Sequence, residues 1–346
     1  MISNLIKQVL AFAVIWFGLM YLICLFLPFH YFNAEYPMWK SKMEVMESKN
    51  NFSNFIIGDS RVIAGIDPDD LGSNYYNLAL GGGTPMEGYY SLKRMLNANK
   101  KIDTIIVSYG PLHFEQSEMF WDRQVKYNFY SLDEIDDIFN SLNTENETFW
   151  EYEGASNFKE SEKGSLIRKA YKTYFKFPTE LRTELSKSFL LRGYTNYTVY
   201  NEIKNRRGCF DFGRAAHSNA LNVEAQRTAF RPKKVLISSL ERLFKLAQKN
   251  KVAVMYVSLP MNRTSYNALD AEYRNGVEQM DDYLKQNHPY VKFINPVLMS
   301  YEDSYFGDAS HLNKKGREKF TFELKKWVSK KLFHSDNSLT RLEFEE

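Results

Sequence analysis

Residues 52–84 read FSNFIIGDSRVIAGIDPDDLGSNYYNLALGGGT. A short apolar run, 54–57, stops at Gly58-Asp59-Ser60, and a second, 75–80, runs into Gly81-Gly82-Gly83. Short apolar runs that end at glycine and pass into helical spacing read as buried strands, each feeding a helix. The pattern continues outward. Tyr89, Leu92 and Leu96 mark a helix over 86–97, and DTIIVS at 103–108 is a strand continuous enough to be buried on both faces. After a long interval the order returns: an amphipathic helix at 235–247, the strand VAVMYVS at 252–258, a helix face of Leu269, Tyr273, Val277, Met280 and Leu284, and a short strand at 291–294. A last helix carries Phe320, Leu324, Trp327 and Val328. Strands alternating with helices predict an α/β fold with a mostly parallel sheet covered on both faces.

The interval itself, about 115–230, is rich in Trp, Tyr, Phe, Asn and Glu, with few β-branched runs. Helices are expected at 132–142 and 165–174, so the stretch reads as a largely helical insertion. At the other end, 9–27 is VLAFAVIWFGLMYLICLFL, unbroken by charge. That matches the roughly 20 apolar residues a helix needs to cross a bilayer. No small-residue cleavage site follows it, so it reads as an uncleaved transmembrane anchor. The expected organisation is an anchor over 1–28, a juxtamembrane connector over 29–50, an α/β domain over 51–334 and a frayed tail over 335–346. Lys7 precedes the span while Lys40, Lys42 and Lys49 follow it, which by basic count favours a cytoplasmic C-terminal part. The early position of the span and the chemistry below argue the reverse.

Composition removes several classes. A net charge of +3 without a basic block gives no footprint for nucleic acid. Two cysteines, Cys24 and Cys209, make neither a disulfide framework nor a Cys-rich zinc site. His30, His113, His217, His288 and His334 form no zinc pattern, and the glycines lack the lysine of a phosphate-binding loop.

Three stretches carry chemistry. Ser60 falls where a strand of a parallel sheet ends, the place where α/β sites lie. On its own it is equally a helix N-cap. The glycines after Asn77-Leu78-Ala79-Leu80 let backbone amides approach a substrate oxygen, or simply make a tight turn. Near the C-terminus stands Phe306-Gly307-Asp308-Ala309-Ser310-His311-Leu312-Asn313. An Asp three residues before a His reaches its Nδ1 within one turn of chain, leaving Nε2 to take a proton from a serine.

Together Gly58-Asp59-Ser60, the 77–84 segment and Asp308-x-x-His311 resemble the SGNH (GDSL-like) hydrolases, over roughly 52–113 and 250–330. The anchor, the Gly-Asp-Ser-Arg form, Ile66-Asp67-Pro68 and the Asp-x-x-His-Leu-Asn ending are most similar to the family's membrane-anchored members, the alginate O-acetylation and teichoic acid D-alanyl transfer proteins. The resemblance implies a flavodoxin-like three-layer α/β/α sandwich. It implies a serine esterase or O-acyltransferase acting outside the cytoplasm on acyl esters of a surface polysaccharide or related polymer, with no metal or cofactor. Ser60, Asp308 and His311 are the implied catalytic residues, with the Ser60 and Gly82 N–H groups at the oxyanion. The family places an Asn after its third strand; here that stretch is Val107-Ser108-Tyr109-Gly110-Pro111-Leu112-His113. Tyr109 is therefore a candidate further donor, and Arg61 a candidate for binding an anionic group. The alternative is a weakly active or inactive glycan-binding scaffold that partners an integral membrane O-acyltransferase.

Overall fold

A computed structural model of the chain describes residues 2–98, 100–115, 120–144, 181–182, 185 and 188–335. The helix expected at 165–174 and the tail from 336 lie outside them. The chain divides into two compact units, Met1–Met43 with Glu118–Glu202, and Glu44–Ser117 with Ile203–Glu346.

The second unit holds a parallel sheet of five strands. β1 (Asn54–Gly58), β2 (Tyr75–Asn77), β3 (Thr104–Ser108), β4 (Ala253–Tyr256) and β6 (Lys292–Phe293) lie in the order β2-β1-β3-β4-β6. Register pairs Asn54 with both Tyr75 and Thr104, and Thr104 with Ala253. A small parallel pair, β5 (Met261–Asn262) with β7 (Ser300–Tyr301), has no counterpart among the strands expected from sequence, since two residues leave no periodic trace.

Side chains alternate across the strands, and each face has its own cover. Ile56, Ile106 and Met255 face Val62 and Ile63 of α3 (Ser60–Gly65), Phe320 and Leu324 of α11 (Lys314–Ser335), and Phe306 and Leu312 before it. The opposite face meets α5 (Pro85–Asn97) and α8 (Lys234–Lys249). Gly88 of α5 lies so close to Ile57 that a Cβ there would fall 3.2 Å from it, and the Phe244 ring of α8 stands edge-on to Tyr256. On α8, Leu236, Leu240, Leu243, Phe244 and Ala247 are buried along one stripe, the amphipathic helix expected at 235–247. Burying each of the large ones stabilises the layer by roughly 1.5–3 kcal/mol. Helix, sheet and helix make the three-layer α/β/α arrangement. Among the described residues this unit also has the α-helices α4 (Pro68–Leu71), α9 (Arg263–Ala268) and α10 (Ala271–Asn287); Tyr273 and Val277 of α10 bury a satellite core with Met261, Leu269 and Leu298.

Residues from Ile203 onward, the end of the stretch read as an insertion, also pack within this unit. Gly208, at φ +91°, sits against the Asn77 carbonyl, and the Phe210 N–H donates to the Ile63 carbonyl at 3.2 Å.

The first unit contains α1 (Ile2–Phe26), most of α2 (Tyr36–Glu47), α6 (Leu132–Thr144) and most of α7 (Phe189–Asn205). Its core is aromatic: Trp39 stands edge-on to Tyr127 and Phe129, and Phe29 packs on Tyr36, Tyr197 and Tyr200. α1 has 25 residues, about 37 Å at 1.5 Å per residue, and is apolar enough to span a membrane or to serve as a signal sequence.

At Gly58 a Cβ would fall 2.2 Å from the Ser108 carbonyl oxygen and 2.5 Å from Val62 Cγ2. Gly58→Ala is expected to destabilise the protein by about 1–3 kcal/mol, as overpacking does. An unchanged denaturation midpoint would show that this junction has slack.

Candidate active site

In this strand order the chain turns outward in both directions between β1 and β3, the topological switch point at which parallel α/β sheets bind ligands. The loops leaving β1 and β3 therefore meet there. Asp59 leaves β1 as the N-cap of α3, its Oδ1 accepting the Arg61 N–H at 2.8 Å, which places Ser60 on the first turn. Asp59 Oδ2 accepts the Gly110 N–H, beyond β3, at 2.7 Å. The next segment is fixed by Asn77: its Nδ2 donates to the Val62 and Ile66 carbonyls at 2.9 and 3.1 Å, and its Oδ1 accepts the Ala79 N–H. The following turn places Gly82 at φ +68°, a conformation suited to glycine, and Thr84 with Glu87 closes a capping box on α5. Among the described residues, neither the Ser60 N–H nor the Gly82 N–H finds an acceptor.

The late Asp-x-x-His comes to the same place. His311 Nε2 is 2.8 Å from Ser60 Oγ, and His311 Nδ1 is 2.8 Å from Asp308 Oδ2. Asp308 Oδ1 also accepts the Ser310 and His311 N–H groups, each at 2.8 Å. Burial would raise the Asp308 carboxyl, but the hydrogen bond and charge of His311, with these two amides, hold it below its usual value. The carboxylate is thus ionised where it faces Nδ1, which assigns the proton to Nδ1 and leaves Nε2 as acceptor. Serine, imidazole and carboxylate stand in hydrogen-bonded sequence, the arrangement that activates an alcohol oxygen.

A strap from Phe210 to Ala216 braces the histidine. The Phe212 ring stacks on the imidazole at 4.8 Å. Gly213 backs onto Gly307 and Asp308, where a Cβ would fall 2.5 Å from the Gly307 carbonyl carbon. Asn313 ties strap to loop, donating toward the carbonyls of Ser304, Ala215 and Ala216, while its Oδ1 accepts the Gly316 N–H. Arg317 of α11 pairs with Asp211 of the strap and lies 3.5 Å from Asp67. Asp211, Gly213, Arg214, Asn313, Lys314 and Lys315 help line an open groove of about 440 Å³ along the strap.

The two candidate substrate-binding residues are buried among protein groups. Arg61, 6% exposed, pairs with buried Glu224. Burial would depress its guanidinium, and Glu224 with Asp59 more than offsets that. Tyr109, 4% exposed, turns its hydroxyl toward Gly88, between the sheet and α5. It lies two residues after Val107, which shares the face of Ile57, so strand alternation carries it away from Ser60. The β3 loop also brings His113 to Asp59, its Nε2 3.4 Å from Oδ2. Burial lowers the His113 pKa despite the Asp59 charge, so the imidazole is neutral at neutral pH. Asp59, which burial would raise, is kept low by charge from His113 and Arg61 and by the Gly110 and Arg61 amides; above the His113 pKa, Arg61 and the amides carry that effect. No sequence signal marks Glu224, Phe212 or His113 for these roles. Their stretches have no periodicity, and the roles arise from distant partners.

Removing one half of the buried pair strands the other. Glu224→Ala is expected to destabilise by about 3–5 kcal/mol, and Arg61→Leu with Glu224→Leu by much less; equal losses in a denaturant titration would contradict the pairing. For His113, the folded pKa lies below 6.5, so the folded state resists protonation. Its share of stability is intact above pH 6.5 and is lost as pH falls from there toward the folded pKa. The difference in stability between wild type and His113→Asn should follow that window; a pH-independent difference would refute the assignment.

No family model matches the chain, and no curated protein sequence matches it. Among solved structures it is similar to "The structure of a putative platelet activating factor from Streptococcus pneumonia", at 12% identity and a TM-score of 0.35, over 84% of this chain and 91% of that one. At that TM-score the likeness carries no weight, and the site is read from its own geometry.

Proposed function

We propose that this protein is a membrane-anchored serine esterase or O-acyltransferase of the SGNH type. The observation that carries the reading is His311, bonded through Nε2 to Ser60 and through Nδ1 to Asp308. The chain order, serine early and Asp-x-x-His late, supports the family resemblance.

In the proposed reaction His311 Nε2 takes the Ser60 proton as Oγ bonds to an ester carbonyl carbon. The backbone amides of Ser60 and Gly82 donate to the resulting oxyanion. The tetrahedral species collapses, the ester C–O bond breaks, and the leaving alkoxide takes the proton from His311. In the second half an incoming hydroxyl, from water or from a polymer, gives its proton to His311 and attacks the acyl-serine. Ser60 then recovers its proton and the acyl group departs on the acceptor. Asp308 keeps Nδ1 protonated throughout and stabilises the imidazolium.

A surface polysaccharide or related polymer, an extracytoplasmic site and an integral membrane O-acyltransferase partner follow from the resemblance and belong to the proposal.

The test is fluorophosphonate labelling of the full chain in detergent micelles, beside Ser60→Ala and His311→Ala. Labelling should vanish in both variants, and hydrolysis of an activated acetyl ester should fall at least about 10³-fold in each. A folded wild-type protein that takes no label overturns the enzyme reading in favour of the glycan-binding scaffold.

A further inference from the structure

The first turns of α7 expose Leu190, Leu191 and Tyr194 to 78%, 66% and 74%. Grouped apolar side chains this open mark a contact surface. Their position says what the surface meets. The Phe189 ring stacks on His30 with centroids 4.5 Å apart, and the Phe189 carbonyl is 3.2 Å from His30 Nδ1. A Cβ at Gly193 would fall 2.3 Å from the same imidazole. One turn further along, Asn196 Nδ2 donates to the Phe29 and Phe32 carbonyls at 2.7 and 3.0 Å, and Tyr197 packs on Phe29 at 4.5 Å. His30 and Phe29 follow directly on the end of α1, whose last residue, Phe26, is itself exposed. The patch is thus clamped beside the point where the apolar helix ends.

We propose that the N-terminal end of α7 is a second, interfacial membrane contact, with Leu190, Leu191 and Tyr194 seated in the headgroup–acyl boundary of the bilayer that α1 crosses. Leucines supply the apolar area for such a seat, and tyrosine suits the headgroup level. The contacts to His30 and Phe29 hold the patch within a few residues of the end of α1, at the level where a bilayer crossed by α1 has its boundary. The proposal goes beyond the catalytic reading and depends on α1 remaining in the membrane.

The native thiols Cys24 and Cys209 are buried, so a cysteine placed at an exposed position takes an environment-sensitive fluorophore first. The full chain is reconstituted in phosphatidylcholine–phosphatidylglycerol vesicles at low protein density, with the label at Leu190→Cys, Tyr194→Cys or Val14→Cys in α1, beside vesicles free of nitroxide lipid as the control. Lipids carrying nitroxide groups should quench the label at 14, 190 and 194. Quenching at 14 with none at 190 and 194 overturns the proposal. Labels at 190 and 194 that are shielded from aqueous iodide yet unquenched by nitroxide lipid also overturn it, because a protein surface then covers the patch. No quenching at 14 removes the membrane span itself and the proposal with it.

Discussion

The Asp59 carboxylate joins two strand ends. One oxygen caps α3 through the Arg61 amide and the other accepts the Gly110 amide beyond β3. Gly58 permits this closeness, since any Cβ there would collide with the Ser108 carbonyl. The position of Ser60, one residue along, follows from these two bonds and that absent methyl. Behind them stand the buried Arg61–Glu224 pair on one side and the neutral, half-buried His113 on the other. With so little water to offer Arg61 or Glu224 a substitute partner, the pair holds the turn that carries Ser60.

The second half of the site is built on the opposite principle. Asp308 and His311 lie on a loop closed by the Phe306–Leu312 bridge and the bond from the Gly307 N–H to the His311 carbonyl. Leu312 drops into the core beneath the sheet, anchoring the loop between two polar residues. Asn313 then starts α11 and at the same time grips the strap. Asp308, His311, Leu312 and Asn313 each make a different contact, which is why so short a stretch is informative as bare sequence.

Legibility follows the range of the forces involved. Strands β1, β3 and β4 are continuous apolar runs, and their burial on both faces can be read from that. The juxtaposition of Ser60, Asp308 and His311 is readable because local geometry, a strand end and one turn of chain, already restricts where they stand. Arg61 is not, since a buried pair and a free cation look alike without the position of Glu224. Tyr109 is an intermediate case: the alternation that runs through Val107 already turns it toward α5, against the expectation of a further donor beside Ser60. Phe212 and Glu224 sit in irregular chain, where only tertiary contacts define a role.

Ser60 and His311 are separated by 251 residues, yet share one hydrogen bond. Contacts between such distant parts form only when the intervening chain has already condensed, because loop closure must come first. The strap from 210 to 216 and the docking of α11 stand between the imidazole and its serine. A chain in which α11 and the strap have not yet docked therefore lacks the Ser60–His311 hydrogen bond. Under the function proposed above, the reactivity of Ser60 then reports on the folding of the whole sheet unit and not on its own turn.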